Sequence, residues 1–282
     1  MIQYDGSYEY WFENRGAKCC LLAGIDDANS RVWMKFDKHE GVEPTFNFWR
    51  EYIERFGKPY SIYIDKFSTY SMNHKLAKEN PDTLTQFQRA MEKGLNIEII
   101  HAGSAQAKGR VEKLFRTLQD RLIKELRLNN ISTIEEANKF LEEDFLLKFN
   151  AKFMAEPRTK SNLHKKLTKQ ERNELDSIFS RQHQRTVRND FTISYEKSWY
   201  QLIEDQPVTI CKRDKITVEE RMNRSVCFKL RGKYLNYKLL PARPEKISKK
   251  APWVIAQSSN RKSHIPPVNH PWRKFQYSNK FI

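Results

Sequence analysis

The sequence predicts an α/β domain of about 155 residues followed by a small domain of short antiparallel strands. Strand-like and helix-like hydrophobic patterns alternate through the first part of the chain, and after residue 190 strand-length runs return without helices. A polar, basic stretch separates the two parts. We therefore divide the chain into an α/β domain (1–157), a basic connector (158–190), a β domain (191–245) and a disordered basic tail (246–282).

The α/β domain begins with a predicted β-meander. Ile2–Asp5 reads as a short strand broken by Gly6 and Ser7, and the apolar run Cys19–Ile25 ends in turn chemistry at residues 26–30. The run Arg31–Phe36 then alternates as a third strand.

Helices and strands alternate after the meander. Aromatic residues at helical spacing predict a helix over Pro44–Phe56 that Gly57 stops. A long amphipathic helix is expected from about Ala107 to Leu128, with the apolar stripe Val111, Phe115, Leu118, Leu122 and Leu126. The remaining predicted elements are strands Tyr60–Ile64 and Ile97–Ile100, a helix around Leu84–Lys93, and a helix to about Phe153 that a capping box over Ser132–Glu135 begins.

The part after residue 158 has one short predicted helix, near Thr168–Phe179, and then only strands. The residues Leu230–Lys233 form a plausible hairpin turn, and about fifty residues of short strands suggest a small β-barrel with Trp199 and Tyr200 in its core. The predicted strands are Phe191–Tyr195, Val208–Lys212, Ser225–Leu230 and Tyr234–Leu239.

Composition points to a polyanionic partner. Lys and Arg number 51 against 35 Asp and Glu, which gives a net charge of +16 and a pI near 9.6. Such a charge favours binding to nucleic acid or an acidic surface. No stretch approaches the ~20 apolar residues of a membrane span, and no export signal is apparent. The four cysteines show no zinc-site spacing, so we expect free thiols in a reducing cytoplasm.

Three carboxylates fall at positions where a fold could bring them together. Asp5 lies on the first strand, Asp65 follows the fourth, and Glu112 lies one turn into the long helix. If strands one and four pair in parallel, Asp5 and Asp65 emerge side by side, and a helix packed across that edge can add Glu112. Such carboxylates repel one another unless a hard divalent cation lies among them. Two Mg²⁺ ions roughly 3.5–4 Å apart would suit in-line displacement at phosphorus.

The runs IQYDGS, LLAGIDDANS, IYID and QAKGRVEKLFRTLQDRLIKELRL resemble the integrase core of insertion-sequence transposases, above all the ISNCY-like group. The order is similar to that of retroviral integrases, which have an RNase H-like fold. The resemblance covers about residues 1 to 245, implies an SH3-like β-barrel in the second domain, and is looser there. Carried over to this sequence, the family's metal-binding DDE triad falls on Asp5, Asp65 and Glu112.

The resemblance implies a DDE transposase that cuts and joins DNA with two Mg²⁺ or Mn²⁺ ions. It also implies a homo-oligomer assembled on transposon ends and target duplex in the bacterial cytoplasm, and no membrane partner. Family members usually carry a helix-turn-helix region before the core, which this chain is expected to lack. An RNase H-fold nuclease and a non-catalytic DNA-binding remnant stay open as alternatives.

Other residues near the triad need separate interpretation. Lys108, Arg116 and Gln119 lie at i−4, i+4 and i+7 from Glu112, which suits phosphates that approach a metal site, although a solvated basic face is the alternative. The doublet Asp26 and Asp27 is interpreted as turn chemistry rather than as part of the site. We expect Trp11, Trp33 and Trp49 to belong to the core, and Glu125 to be an ordinary surface acid.

Overall fold

The computed structural model of the protein describes residues 1–64, 84–101, 109–159, 162–243, 254–255 and 268–270. Contacts divide the chain into two units. The first comprises Met1–Gln182 and Glu219–Val226, and the second comprises His183–Val218 and Cys227–Ile282.

A five-stranded mixed sheet forms the centre of the first unit, with the strand order β3-β2-β1-β4-β5. β1 pairs antiparallel with β2, and β2 with β3, whereas β4 runs parallel to both β1 and β5. The parallel pairing of the first and fourth strands, which was the condition for Asp5 and Asp65 to emerge side by side, is therefore present. The strands are β1 (Ile2–Glu9), β2 (Cys19–Asp26), β3 (Val32–Asp37), β4 (Ser61–Ile64) and β5 (Glu98–His101).

Helices accompany this sheet along the chain, so the predicted α/β class is confirmed, and the mixed sheet supports an RNase H-like arrangement. Short π-helical segments at Arg89–Gly94 and Leu141–Phe145 follow α2 and join α4 to α5. The helices are α1 (Val42–Phe56), α2 (Leu84–Gln88), α3 (Gly109–Leu128), α4 (Ile134–Phe140), α5 (Leu146–Phe153) and α6 (Lys169–Ile178).

Different helices pack on the two faces of the sheet. Tyr4 of β1 lies against Phe48 and Trp49 of α1, with ring centroids 4.9 and 5.3 Å apart. Gln3, the preceding residue, contacts the start of α3 instead. Because successive side chains of a strand point to opposite faces, α1 and the start of α3 lie on opposite sides of β1.

Two asparagine side chains form hydrogen bonds with the free backbone edge of the edge strand β3. Asn138 of α4 accepts from the Phe36 N–H at 2.7 Å and donates to the Phe36 carbonyl at 3.0 Å. Asn150 of α5 makes the same pair of bonds to Val32, at 2.8 and 2.9 Å. Each amide thus occupies backbone groups that a neighbouring strand would otherwise use.

Two local predictions for the first unit are wrong. Gly6 does not break β1, because the strand pairs with β2 without interruption from Ile2 to Glu9. A Cβ at Gly6 would lie 3.1 Å from Cys20 Sγ, so the glycine provides space rather than a turn. The capping box begins at Thr133, one residue later than predicted, since the Thr133 hydroxyl accepts from the Glu136 N–H.

The second unit consists of short strands. Among the described residues they form a four-stranded sheet (β12-β11-β10-β6), a three-stranded sheet (β13-β8-β7) and the pair β14-β9. The sequence predictions did not include β6, whose residues are polar throughout. They also omitted β10, although its buried Ile216 and Val218 alternate with polar residues. The strands are β6 (Arg181–Thr186), β7 (Thr192–Tyr195), β8 (Ser198–Leu202), β9 (Ile210–Cys211), β10 (Lys215–Glu220), β11 (Val226–Leu230), β12 (Lys233–Tyr234), β13 (Tyr237–Leu240) and β14 (Val254–Ile255).

Two features of this unit bear on the sequence predictions. The hairpin at Leu230–Lys233 is confirmed: Leu230 pairs with Lys233, and Arg231 and Gly232 both have positive φ, at 49° and 79°. Val254–Ile255 pairs antiparallel with β9, so at these two residues the expected basic tail is an ordered strand. Apart from these and 268–270, residues 244–282 lie outside the described part.

Candidate active site

Asp5 and Glu112 are carried by elements that meet on one face of the sheet. Gln3 and Asp5 are two residues apart on β1 and therefore share a face. The Gln3 side-chain oxygen accepts from the backbone N–H of Val111, at 3.3 Å, in a buried hydrogen bond. Glu112 is the next residue of α3, so the helix start that carries it packs on the Asp5 face of β1.

The helix α3 presents an apolar side to the core and a polar side to solvent. The predicted stripe is confirmed, since Val111, Leu114, Phe115, Leu118, Leu122 and Leu126 are all buried. Glu112, Arg116 and Gln119 are exposed and follow one another at spacings of four and three residues, on one side of the helix. Lys108, which the sequence predicted on the same polar side as Glu112, lies outside the described residues.

The register of β1 and β4 is informative about Asp65. Ile2 lies opposite Ile62 and Gln3 opposite Tyr63, an offset of 60 residues that also separates Asp5 from Asp65 in the sequence. Asp65 itself directly follows β4 and lies outside the described residues. Within the described ranges, no three His, Cys, Asp or Glu side chains cluster as a metal site.

The two acids of the doublet have different roles. Asp26 forms the predicted turn: its carboxylate accepts from the Ala28 N–H at 2.9 Å and its carbonyl from the Ser30 N–H at 2.8 Å. The Asp27 carboxylate instead accepts from Gln3 Nε2 at 3.0 Å, and Arg110 donates to the Asp27 carbonyl at 2.8 Å. Asp27 therefore links β1 to the start of α3.

Burial raises the pKa of Asp27 above its ordinary value, while Arg110, with a guanidinium nitrogen 3.7 Å from the carboxylate, acts in the opposite direction.

Sequence reasoning named neither Gln3 nor Arg110 as part of the site. Their positions carried a partial signal, because Gln3 shares the face of Asp5 and Arg110 lies two residues before Glu112. The pattern does not show that Gln3 is 94% buried.

Aromatic residues divide between core and surface. Trp11, Trp33 and Trp49 are buried, as predicted, and Tyr200 belongs to the core of the second unit. The prediction for Trp199 is wrong, because it is only partly buried and two guanidinium groups lie over its ring. The distances from the ring centroid are 4.4 Å to Arg188 and 5.6 Å to Arg243.

Sequence comparison finds two relatives, both described as transposases. The chain is 39% identical over 207 residues to the putative transposase y4bF of Sinorhizobium fredii, covering 73% of this chain and 44% of that protein. It is 29% identical over 276 residues to the transposase for insertion sequence IS1202 of Streptococcus pneumoniae, covering 97% and 57%. The chain thus spans about half the length of these relatives. The predicted resemblance to insertion-sequence transposases is confirmed.

Structural comparison finds weaker likenesses. The magnesium complex of the HTLV-2 integrase catalytic core domain, in its trimeric form, matches with a TM-score of 0.37 and 20% identity, over 49% of this chain and 78% of that chain. The simian T-cell lymphotropic virus intasome with a PP2A regulatory subunit matches with a TM-score of 0.41 and 14% identity, over 85% and 78%. No protein-family model matches the chain. Within its described parts, every helix is too short or too polar to span a lipid bilayer.

Proposed function

We propose that this chain forms the catalytic part of a DDE transposase, which cleaves DNA strands and transfers them to a target duplex. The observation that carries the proposal is that β1 and α3, the elements that carry Asp5 and Glu112, meet on one face of the sheet. The similarity to two transposases supports the same conclusion.

Asp5, Asp65 and Glu112 would hold two Mg²⁺ or Mn²⁺ ions. The donor set fits, because carboxylate oxygens are the ligands these hard cations prefer, and Glu112 is solvent-exposed on a helix that starts beside the Asp5 face. The register offset of 60 residues between β1 and β4 supports the inclusion of Asp65. When bound, such ions supply an activated water or hydroxyl nucleophile and stabilise charge on the phosphate.

The residues around the carboxylates bind and orient DNA. Arg116 and Gln119 lie one and two turns after Glu112 on the exposed side of α3, and Lys108 comes four residues before Glu112 in the sequence. Guanidinium, amide and ammonium groups all donate to phosphate oxygens. They would hold the scissile phosphate beside the metal-binding carboxylates.

The second unit would add a further DNA-binding surface. We assign it an SH3-like β-barrel, on the strength of its short antiparallel strands and an aromatic cluster. In this cluster the buried Tyr200 and Phe228 pack against the more exposed Tyr237, with ring centroids 4.8 to 5.6 Å apart. Arg188 and Arg243 stack on Trp199, which limits their motion and leaves their N–H groups able to bind phosphate. The net charge of +16 supports a polyanionic partner.

The proposed organisation keeps the divisions 1–157, 158–190, 191–245 and 246–282 as an RNase H-like core, a connector, a barrel and a basic tail. Two-ended DNA transposition requires two active sites, so we expect a homo-oligomer on the DNA.

The experiment that tests the proposal is strand transfer. A fluorescent duplex that carries the pre-cut end of the encoding element is incubated with a supercoiled plasmid and Mg²⁺ or Mn²⁺. Covalent joining of the label to the plasmid is the expected product. Cleavage without joining would favour the RNase H-fold nuclease, and metal-independent binding without cleavage would favour the DNA-binding remnant.

A further inference from the structure

We propose that Gln3, Asp27 and Arg110 are positioning residues. They hold the start of α3 so that the Glu112 carboxylate is in position to bind metal. The inference rests on the proposed function and extends it to three residues that neither bind metal nor touch the reacting phosphate. The three form a chain of contacts from β1, through the β2–β3 turn, to the helix that carries Glu112.

The first link is the side chain of Gln3. Its oxygen accepts from the Val111 N–H at 3.3 Å, and its nitrogen donates to the Asp27 carboxylate at 3.0 Å. The amide is buried, so both of its ends are fixed by protein partners. Val111 is in the first turn of α3, where backbone N–H groups lack partners within the helix. Gln3 therefore fixes the helix start relative to the strand that carries Asp5.

The second link joins Asp27 to Arg110. Arg110 donates to the Asp27 carbonyl at 2.8 Å, and the same nitrogen lies 3.7 Å from the carboxylate. The Asp27 N–H in turn donates to the carbonyl of Met1, the residue before β1, at 3.0 Å, which anchors the turn beside the start of that strand. The helix start is thus held at two consecutive residues, Arg110 by its side chain and Val111 by its backbone, and Glu112 is the next residue.

This arrangement matters because metal-binding carboxylates must be held in place against their mutual repulsion. Residues that orient metal ligands without binding the metal affect its affinity or activity by roughly 10- to 100-fold when changed. A helix start that shifts would move Glu112 relative to Asp5 while leaving the apolar stripe of α3 in the core. The defect should therefore appear in metal dependence more than in folding.

The Gln3–Asp27 pair permits a charge-swap test. Gln3→Glu keeps an acceptor for the Val111 N–H but sets a second carboxylate against that of Asp27. Gln3→Glu combined with Asp27→Asn restores a donor–acceptor pair, since the new amide at position 27 can donate to the new carboxylate at position 3. Gln170→Glu is the matched control, because Gln170 is exposed and bonds Glu174 at 3.2 Å on α6, so it creates a similar carboxylate pair away from the site.

The measurements use the full chain. They are the rate of nicking of a supercoiled plasmid as a function of Mn²⁺, Mn²⁺ binding by calorimetry, affinity for a random duplex in EDTA, and melting temperature. For Gln3→Glu we expect the half-maximal Mn²⁺ concentration to rise about tenfold or more. The double variant should return to within about threefold of wild type, and duplex affinity in EDTA should be unchanged in all variants.

Three results would overturn this inference without touching the proposed function. The first is a wild type that nicks DNA while Gln3→Glu shows unchanged Mn²⁺ dependence, and the second is a Gln3→Glu defect that the second substitution does not reverse. A Gln3→Glu variant that only melts at lower temperature would also overturn it, since that is the behaviour of a purely structural contact. A wild-type chain that neither binds Mn²⁺ nor nicks DNA would instead overturn the proposed function and this inference with it.

Discussion

Gln3 and Val111 lie 108 residues apart in the sequence and are joined by a buried hydrogen bond of 3.3 Å between the glutamine side chain and the backbone of α3. This bond connects the strand that carries Asp5 to the helix that carries Glu112. The geometry of the candidate site therefore depends on a contact between two elements that separate regions of the chain supply.

We expect Gln3→Met to destabilise the protein. Methionine has nearly the same length, but its thioether sulfur is only a weak acceptor for the Val111 N–H. A buried N–H that loses its partner costs about 1–3 kcal/mol. Denaturant unfolding should show this loss in the free energy of unfolding, whereas the exposed Gln170→Met should change it by less than about 0.5 kcal/mol. Equal stability of Gln3→Met and wild type would mean that the bond contributes nothing to folding.

The second unit should bind DNA through backbone phosphates. If Arg188 and Arg243 each neutralise one phosphate, the double alanine variant should make the slope of log affinity against log salt shallower by about 1.8. Fluorescence anisotropy with a random duplex at several salt concentrations measures this slope. The control Lys215→Ala with Lys233→Ala removes the same charge from two exposed positions of the unit. If the control changes the slope as much as the arginine variant, the effect is one of net charge only.

Thiol reactivity should divide the four cysteines into two classes. Burial raises the pKa of Cys19 to about 11, and burial together with Glu40 raises the pKa of Cys20 further. Since the thiolate is the nucleophile, both should resist alkylation in the folded protein at pH 8. The partly exposed Cys211 and Cys227 should react first, and mass spectrometry of iodoacetamide adducts would show it. Rapid native labelling of Cys19 or Cys20 would contradict the packing of β2.

Stability should fall in mild acid because of His164. Burial lowers the pKa of His164 below its ordinary value of 6.5, and the Tyr52 hydroxyl lies 2.9 Å from its Nε2. Asp26 favours the protonated form and Arg31 opposes it. The folded state favours the neutral ring, so this group stabilises the protein fully above pH 6.5, the ordinary pKa that applies in the unfolded chain. That contribution to the free energy of unfolding is lost as the pH falls through the lower pKa of the folded state.

The melting temperature between pH 7.5 and pH 5 would test this, with His164→Gln for comparison. The variant cannot titrate there, so its pH dependence should be weaker than that of wild type. Parallel curves for the two proteins would assign the acid sensitivity to other groups.

Sequence patterns predicted the elements whose side chains alternate clearly between core and solvent. The stripe of α3 is an example, since burial of one face imposes a period on the sequence. The strand β2 was predicted on a different basis, because Cys19–Ile25 is a continuous apolar run that is buried on both faces. The strand β6 has no such period, because its residues Arg181–Thr186 are polar throughout, so it could not be found in this way. Gly6 was misread because a glycine that provides space looks like one that forms a turn.

Local pattern and resemblance placed the acids of the candidate site and the polar side of α3, but not the contacts that join them. Asp5 and Glu112 stand at a strand and at a helix start, and both positions can be inferred from local pattern and from the resemblance. The roles of Gln3 and Arg110 depend on which residues meet across the fold, and no local pattern encodes that. The same reason explains Trp199, whose contacts with Arg188 and Arg243 link residues 11 and 44 positions away.

The most direct test of the proposed function compares Glu112→Gln with Glu125→Gln in metal-dependent DNA cleavage. Both glutamates are exposed on α3, so the two variants remove the same charge from the same helix. The measurement is the initial rate of nicking of a supercoiled plasmid at saturating Mn²⁺, with melting temperatures to verify folding. We predict a loss of about 100-fold or more for Glu112→Gln and a wild-type rate for Glu125→Gln. A folded Glu112→Gln protein that cleaves at the wild-type rate would contradict the account.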